Sequence, residues 1–167
     1  MELIHDVADW AWARHHNPLS WYVRPLLLLP YCYFAWRRSR TGLAATIIAL
    51  ATSMAWFPAP AVPDPRAAAF LDFERQYLIA PWTPLKILFA LSVPAFLAGL
   101  AMAFWARSWR IGLLIANAAC LLKIWWSLRY GGDSGWTVVP PAALGIAVLN
   151  GLVFWLVCRH HSAHSRH

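Results

Sequence analysis

The sequence predicts an all-α integral membrane protein with five transmembrane helices in one bundle and two short interfacial amphipathic helices. Hydrophobic residues make up 60% of the chain and charged residues only 13%, whereas soluble domains carry roughly 25% charged residues. Five apolar segments each approach the roughly 20 residues that a helix needs to cross a bilayer. Most of the twelve tryptophans lie near the ends of these segments, as is usual at membrane interfaces. A separate soluble domain is therefore not expected.

A short amphipathic helix precedes the first membrane segment. Apolar residues recur at helical spacing in residues 2–15, with acidic residues on other faces, which favours a helix lying in the membrane interface. Pro18 ends this helix because the residue before a proline is disfavoured in the helical conformation. The first span is expected at about 20–36 and the second at about 41–57, with an arginine-rich stretch between them.

A second interfacial helix is expected at residues 66–79. Asp64 suits the N-cap position, and Pro65 suits the first helical position, where its missing N–H is not needed. Three spans follow, at about 85–106, 111–128 and 138–157. The prediction is therefore a single transmembrane bundle over residues 1–158, followed by a polar cytoplasmic tail at 159–167.

The two sides of the predicted bundle differ in charge. Five spans place the termini on opposite sides, and all seven acidic residues fall on the side of the N-terminus. We call the side of the N-terminus the mixed-charge end; it is formed by residues 2–18, 58–83 and 130–137. We call the other side, which contains residues 37–40 and 107–110, the basic end. The combined number of lysine and arginine residues is equal on the two sides. We expect the side without acidic residues to face the cytoplasm. The protein is thus expected in a bacterial inner membrane, with its N-terminus outside and its C-terminus in the cytoplasm.

Composition argues against two other kinds of protein. The formal net charge of +7 comes from basic residues at the ends of apolar segments, which is a pattern of membrane topology rather than of nucleic-acid binding. Cys32, Cys120 and Cys158 lie in predicted spans, and an odd number of scattered thiols predicts neither disulfides nor a zinc site. They are expected to be packing residues, and the sequence indicates no cofactor.

A polar stripe crosses the fourth predicted span. Asn117, Cys120, Lys123 and Ser127 recur at spacings of three and four residues, so they share one face of a helix. Such a face is expected to point into the bundle rather than towards lipid. Asn150 in the fifth span is the expected partner of this stripe across the helix interface.

Lys123 is the most informative residue of the stripe, because a lysine within an apolar run costs roughly 2.5–3.5 kcal/mol at the bilayer centre. Three interpretations are open. The lysine could line a cation-rich cavity, or its long side chain could reach the interface beside Trp126. It could also form a structural ion pair with one of three acids, namely Asp72, Glu74 or Asp133.

The mixed-charge end carries most of the groups that could bind a ligand, although interfacial charges often form only modest ion pairs. The predicted ligand-binding residues are Arg24, Asn117, Lys123, Arg129, Asp133, Asp72, Glu74, Arg75 and Asn150. His15 and His16, with His5 or Asp9, are the candidate metal ligands. Adjacent histidines point about 100° apart on a helix, and no third ligand lies at a diagnostic spacing, so the metal signal is weak.

Three functions fit these features. The first is a small transport or channel-type protein whose outward-facing cavity, lined by Arg24, Lys123 and Arg129, admits a small anionic or zwitterionic solute. The second is an integral membrane enzyme that acts on a lipid or isoprenoid-linked headgroup at the outer leaflet, with His15 or His16 as general base. The third is a non-catalytic accessory subunit of a membrane complex.

Membrane lipid and further membrane subunits are the expected partners, and nucleic acid is not. Small residues repeat every four positions in the second and fifth spans, and such stripes let helices approach closely. The stripes are Ala45, Ala49 and Ser53, and Ala143, Ala147 and Gly151. Because five spans are few for a complete transport pathway, the stripes favour a homo-oligomer or a complex with a partner membrane subunit.

Overall fold

A computed structural model describes residues 2–164, with side chains described for residues 6–155 and 159. This part of the chain contains seven α-helices, two 3₁₀ helices and no strand. The helices are α1 (Glu2–His15), α2 (Leu19–Trp36), α3 (Arg40–Thr52), the first 3₁₀ helix (Ser53–Ala55), α4 (Pro65–Ile79), α5 (Pro84–Trp105), α6 (Trp109–Gly131), the second 3₁₀ helix (Gly132–Val138) and α7 (Val139–His164). The all-α prediction is confirmed for these residues.

Each helix expected from the sequence has a counterpart, and two boundaries differ from expectation. Helix α3 ends at Thr52 rather than near residue 57, because the chain tightens into the first 3₁₀ helix before it reaches Pro58. Helix α7 continues to His164 and so includes most of the expected polar tail. At the start of α4, the Asp64 carboxylate accepts from the backbone N–H groups of Arg66 and Ala67, which confirms the expected N-cap.

Two helical stretches of the described chain are long and apolar enough to cross a membrane. One is α5, Pro84–Trp105, in which only 17% of the most apolar window is buried. The other is the 47-residue stretch Trp109–Trp155, which contains α6, the second 3₁₀ helix and α7. Since α6 and α7 pack against each other, this stretch is a hairpin. Apolar helices with such exposed surfaces are compatible with a membrane location.

The buried core lies around α2, which packs against α3, α5 and α7, while α6 packs against α5 and α7. Its members are Tyr31, Cys32, Ala35, Leu100, Phe104, Ala116, Leu149 and Val153. The Tyr31 hydroxyl donates to the Leu97 carbonyl of α5 at 2.9 Å. Cys32 is buried and Cys120 is partly buried, as expected of packing residues, and the Cys158 side chain lies outside the described residues.

The two small-residue stripes are only partly buried within the chain: in the first, Ser53 is fully buried and Ala49 partly buried. In α3 the buried positions are Gly42 and Thr46, and Ala45 is exposed. In α7 the residues Ala143, Ala147 and Gly151 are all exposed. The close approach of α7 to α2 instead uses Gly145, where an added Cβ would lie 2.6 Å from the Pro25 Cβ.

The chain contains the same succession of elements twice. Helix α1, the hairpin α2–α3 and the first 3₁₀ helix are followed by α4, the hairpin α5–α6 and the second 3₁₀ helix. In both halves the amphipathic helix packs against the 3₁₀ helix that ends its own half. Helix α7 has no counterpart in the described chain. Each half therefore places a surface helix over the mixed-charge end of its hairpin.

Candidate ligand-binding site at the mixed-charge end

Helix α1 is anchored at its C-terminal end to the segment that follows α3. One guanidinium nitrogen of Arg14, Nη1, donates to the carbonyls of Ala55 and Phe57 at 3.4 and 3.3 Å. The Asn17 amide donates to the Pro58 carbonyl at 3.0 Å. These carbonyls lie beyond the regular helix and need donors from elsewhere, so they hold α1 across the end of the bundle.

His15, the last residue of α1, is buried beneath this helix. Its side chain is 5% exposed, and Nδ1 lies 3.3 Å from the hydroxyl oxygen of Ser20. The rings of Trp12 and Trp21 flank the imidazole, with centroids at 6.0 and 5.9 Å. Burial, together with the positive charge of Arg24, lowers the pKa of His15 to about 3. The imidazole is therefore neutral at physiological pH.

Arg24 enters the same region from α2. Its Nε donates to the hydroxyl of Ser53 at 3.2 Å, and Ser53 in turn donates to the Leu50 carbonyl at 2.8 Å. Among the side chains that the structure describes, no acid lies within ion-pair distance of Arg24. The Glu74 carboxylate is nonetheless close enough to act on Arg24 electrostatically.

Lys123 of α6 meets Glu74 of α4. The Nζ atom lies 2.9 Å from Glu74 Oε1, with side-chain exposures of 48% and 25%. The ammonium also lies 4.9 Å from the ring centroid of Trp126 and 5.5 Å from that of Phe70. Of the three interpretations, the structure contains the ion pair with Glu74, with the lysine stem beside Trp126. We call Arg24, Glu74 and Lys123 the charge cluster.

Aromatic side chains border the charge cluster and join α4 to α6. The Trp126 ring lies 5.6 Å from that of Phe73, 5.4 Å from that of Tyr77 and 5.9 Å from that of Tyr130. Edge and tilted contacts of this kind add about 0.5–1.5 kcal/mol per pair to the burial of the rings. They fix α4, and with it Glu74, over the end of α6.

The second 3₁₀ helix folds back on the last turns of α6. Ser127 is fully buried, and its hydroxyl has no hydrogen-bond partner among the described residues. Gly135 lies directly on the Ser127 carbonyl, so closely that a Cβ at position 135 would overlap that backbone oxygen. Only glycine fits this contact, which closes the mixed-charge end between α6 and α7.

The predicted pairing of the polar stripe with α7 is confirmed. Asn117 and Asn150 exchange two amide hydrogen bonds, of 3.0 and 2.8 Å. Each also donates its second amide hydrogen to its own helix, Asn117 to the Leu113 carbonyl and Asn150 to the Ile146 carbonyl, both at 2.8 Å. All four amide hydrogens are thus satisfied within the bundle, which makes the pair a structural contact between α6 and α7.

The remaining predicted ligand-binding residues lie outside the charge cluster. Asp72 and Asp133 are exposed, and the exposed guanidinium of Arg129 lies 5.6 Å from the Tyr130 ring. Arg75 is 3.7 Å from Asp9 in an exposed ion pair, and pairs of this kind contribute about 0–1 kcal/mol. Of the predicted set, the structure therefore pairs Lys123 with Glu74 and, separately, Asn117 with Asn150.

The two candidate metal ligands use their Nδ1 atoms on different partners. His15 faces Ser20, whereas His16 Nδ1 lies 2.9 Å from the Trp12 carbonyl. No group of three His, Cys, Asp or Glu side chains suited to a metal occurs among the described residues. The side chain of His5, the possible third ligand, lies outside them.

Lys86 makes a structural contact between α4 and α5 that the sequence did not predict. Its side chain is 4% exposed, and Nζ donates to the carbonyls of Leu78 and Ala80 at 2.9 and 2.6 Å. The rings of Tyr77 and Trp82 lie 5.1 and 4.6 Å from the ammonium. The lysine therefore satisfies the unpaired carbonyls at the end of α4 and ties α4 to α5. The feature of the sequence that could have indicated this contact is a lysine shortly after an amphipathic helix rich in aromatic residues.

Two shallow apolar grooves lie on the bundle surface, and neither includes the charge cluster. One, of about 320 Å³, is lined by Ala101, Met102, Trp105 and Ala106. The other, of about 440 Å³, is lined by Trp109, Leu113, Asn150, Gly151 and Phe154.

Neither a protein-family model nor a curated protein or solved structure matches the chain. A functional assignment therefore depends on the chemistry of the charge cluster.

Proposed function

We propose that the protein is a small polytopic membrane protein of transport or channel type that binds a small anionic or zwitterionic solute at the charge cluster. The observation that carries the proposal is that Lys123 pairs with Glu74 at 2.9 Å, whereas the partly buried Arg24 has no acid within ion-pair distance among the described side chains. One positive charge is then left without a counter-ion in a partly buried region. A bound anion would supply that counter-ion.

Glu74 serves as an internal substitute for part of the ligand in this proposal. Its carboxylate accepts a hydrogen bond from Lys123 and interacts electrostatically with Arg24. A carboxylate or phosphate oxygen of a solute would take the same position. A zwitterion would place its anionic group on Arg24 and its cationic group near Glu74. Neutral His15 and the surrounding rings lower the local polarity, which strengthens these interactions relative to open water.

Five spans, an outward N-terminus and an oligomer remain part of the proposal. The exposed apolar surface of α5 supports insertion in a bilayer. Helix α3 is only 13 residues long, about 20 Å at 1.5 Å per residue, and would cross a hydrocarbon core of roughly 30 Å only if the bilayer thins or its flanks are included. The exposed stripe Ala143, Ala147 and Gly151 supports contact with a further helix.

The enzyme alternative receives no support from His15. An imidazole with a pKa of about 3 is a weak base at neutral pH, and its Nδ1 already faces Ser20. No other observation at the mixed-charge end favours catalysis, so no second function is proposed.

Solute uptake into reconstituted vesicles tests the proposal. Inorganic phosphate, acetate and glycine serve as labelled probes of the anionic and zwitterionic classes. We expect uptake of at least one probe by the wild-type protein, and a loss of about tenfold or more in Arg24→Gln and Lys123→Gln, because a hydrogen bond to a charged group contributes about 1.5–3 kcal/mol.

Arg66→Gln is the matched control for this measurement. Arg66 is an exposed cation on the same end of the molecule, and only its backbone N–H takes part in the Asp64 cap. We expect this variant to take up the probe at the wild-type rate. If no probe enters above the level of protein-free vesicles, or if all three variants equal wild type, the transport function is wrong and the accessory-subunit interpretation gains.

A further inference from the structure

The basic end contains a sequence motif that occurs twice in the chain. Trp36-Arg37-Arg38-Ser39 joins α2 to α3, and Trp105-Ala106-Arg107-Ser108 joins α5 to α6. Both are followed by Arg-x-Gly-Leu, at 40–43 and at 110–113, with Trp109 as a one-residue insertion in the second copy. The two halves of the chain thus end their first long helix with the same turn.

The two turns have the same backbone geometry. Ser39 N–H donates to the Phe34 carbonyl and Ser108 N–H to the Ala103 carbonyl, each at 2.9 Å, closing the wider hydrogen bond of a Schellman motif. The residue before each serine is left-handed, with φ of 55° at Arg38 and 60° at Arg107. Glycine is the usual residue there because a side chain in this conformation is unfavourable. Both turns instead carry an arginine.

Each of these arginines contacts the tryptophan of the other turn. Arg38 Nε donates to the Trp105 carbonyl at 3.2 Å, and the Arg107 guanidinium lies 5.0 Å from the ring centroid of Trp36. Arg38 and Arg107 are both exposed, so their remaining N–H groups face outward. The crossed contacts therefore tie each arginine to the other turn.

No acid of this chain neutralises the paired turns. The sequence has no Asp or Glu between residues 10 and 63 or between residues 75 and 132. Arg37, Arg40 and Arg110 are also exposed, and Arg110 lies 5.3 Å from the ring centroid of its neighbour Trp109. Five exposed guanidinium groups are therefore available to an anionic partner from outside the chain.

An apolar groove begins beside the same turns. Its lining, Ala101, Met102, Trp105 and Ala106, runs from the last turns of α5 to the residue before Arg107, and its volume is about 320 Å³. A fixed guanidinium fork suits the oxygens of a phosphate, and an apolar groove next to it suits an acyl chain. This combination distinguishes a lipid from a free ion.

We propose that the paired Trp-x-Arg-Ser turns bind the phosphate headgroup of an anionic phospholipid, with Arg38 and Arg107 as the central phosphate ligands and the Ala101–Ala106 groove holding part of an acyl chain. The lipid site is independent of the charge cluster, which lies at the opposite end of the helices. The unfavourable left-handed arginines are retained because glycine, although better for the turn, would remove the phosphate contacts.

Binding of fluorescent phosphatidylglycerol to the full chain in neutral detergent tests the proposal, with fluorescent phosphatidylcholine as the neutral lipid. We expect tighter binding of phosphatidylglycerol, and an affinity about tenfold lower in Arg38→Gln and in Arg107→Gln. Arg38→Lys and Arg107→Lys keep the charge but lose the fork, so they should bind with intermediate affinity. Arg66→Gln, at the other end, should equal wild type.

Three results would overturn the lipid site. Equal affinities for the two lipids, or an equal loss in Arg66→Gln, would show unspecific electrostatic attraction. Complete competition by millimolar inorganic phosphate would show a site for the free ion. If the glutamine variants do not fold, Arg107→Gly tests the lipid site, because glycine suits the backbone of the turn. We expect this variant to have a higher Tm and to bind phosphatidylglycerol more weakly. Unchanged binding would contradict the proposal.

Discussion

The two ends of the bundle hold their cations in opposite ways. At the mixed-charge end three cations bond within the chain: Lys123 pairs with Glu74, while Lys86 and Arg14 donate to backbone carbonyls. Arg66 and Arg129 at that end are exposed. At the basic end the arginines are exposed and contact tryptophans, and no acid is near. A cation that is bonded within the chain builds a site, whereas an unpaired exposed cation is a surface for an external anion. This difference is the basis for proposing solute binding at one end and lipid binding at the other.

Gly135→Ala should have the largest effect, because it breaks the construction of the mixed-charge end. The new Cβ would overlap the Ser127 carbonyl, a backbone atom that cannot move without shifting the end of α6. We expect a loss of about 3 kcal/mol of stability, at the upper end of overpacking substitutions, seen as a lower Tm in detergent. Gly99→Ala is the control, since an added Cβ there would lie 3.7 Å from the Ile115 Cδ1, an ordinary van der Waals contact. Equal Tm values for the two variants would contradict the close contact.

Lys86→Met tests whether a cation at the mixed-charge end is part of the structure. Methionine keeps much of the apolar stem but leaves the Leu78 and Ala80 carbonyls without their donor. A loss of about 2–3 kcal/mol is expected from removing a charged donor of two hydrogen bonds. Faster tryptic cleavage after Arg75 would show that α4 has detached. Wild-type Tm and cleavage would show that Lys86 is dispensable, and Arg66→Gln serves as the control for a lost cation.

The stability of the protein should fall with acid because of His15. Its pKa is about 3 in the folded state and 6.5 when unfolded. Below pH 6.5 the unfolded chain therefore binds a proton that the folded chain does not, and this favours unfolding as the pH falls towards 3. The loss between pH 7 and pH 5 should be about 2 kcal/mol, measured as the pH dependence of Tm. His15→Gln should flatten this dependence, and an unchanged slope would contradict the burial of a neutral imidazole.

Glu74→Gln should have the smallest effect on stability and sharpen the contrast between the ends. Removing the carboxylate leaves Arg24 and Lys123 without an internal counter-ion, so the mixed-charge end becomes more like the basic end. Affinity for the anionic probe that the wild type accepts should rise about tenfold, by isothermal titration. Asp6→Asn removes an exposed acid of α1 and should leave the affinity unchanged. A weaker affinity in Glu74→Gln would mean that Glu74 positions the site rather than competing for it.

Much of the helix plan could be predicted because it depends on local chemistry. The Asp64-Pro65 start of α4 is a pattern within a few residues, and it proved correct. The polar stripe of α6 proved correct in part, because Asn117 pairs with Asn150 and Ser127 is buried, but Lys123 is exposed. The partner of Lys123 could not be chosen among three acids, because the choice depends on how α4 lies across α6. The repeat of Trp-x-Arg-Ser is visible in the sequence, but the contacts between its two copies could not be predicted, because they depend on how α2 packs against α5.

By itself the sequence determined an all-α chain, the location of its helices and the segregation of its acids to one end, because length, hydropathy and charge act along the chain. Tertiary structure alone decided that Lys123 pairs with Glu74, that Arg24 bonds to Ser53, that Arg129 and Asp133 do not join them, and that Arg38 and Arg107 contact each other's tryptophan residues. These contacts join residues from different helices. Their geometry arises from helix packing, to which every helix contributes and which no short stretch of sequence encodes.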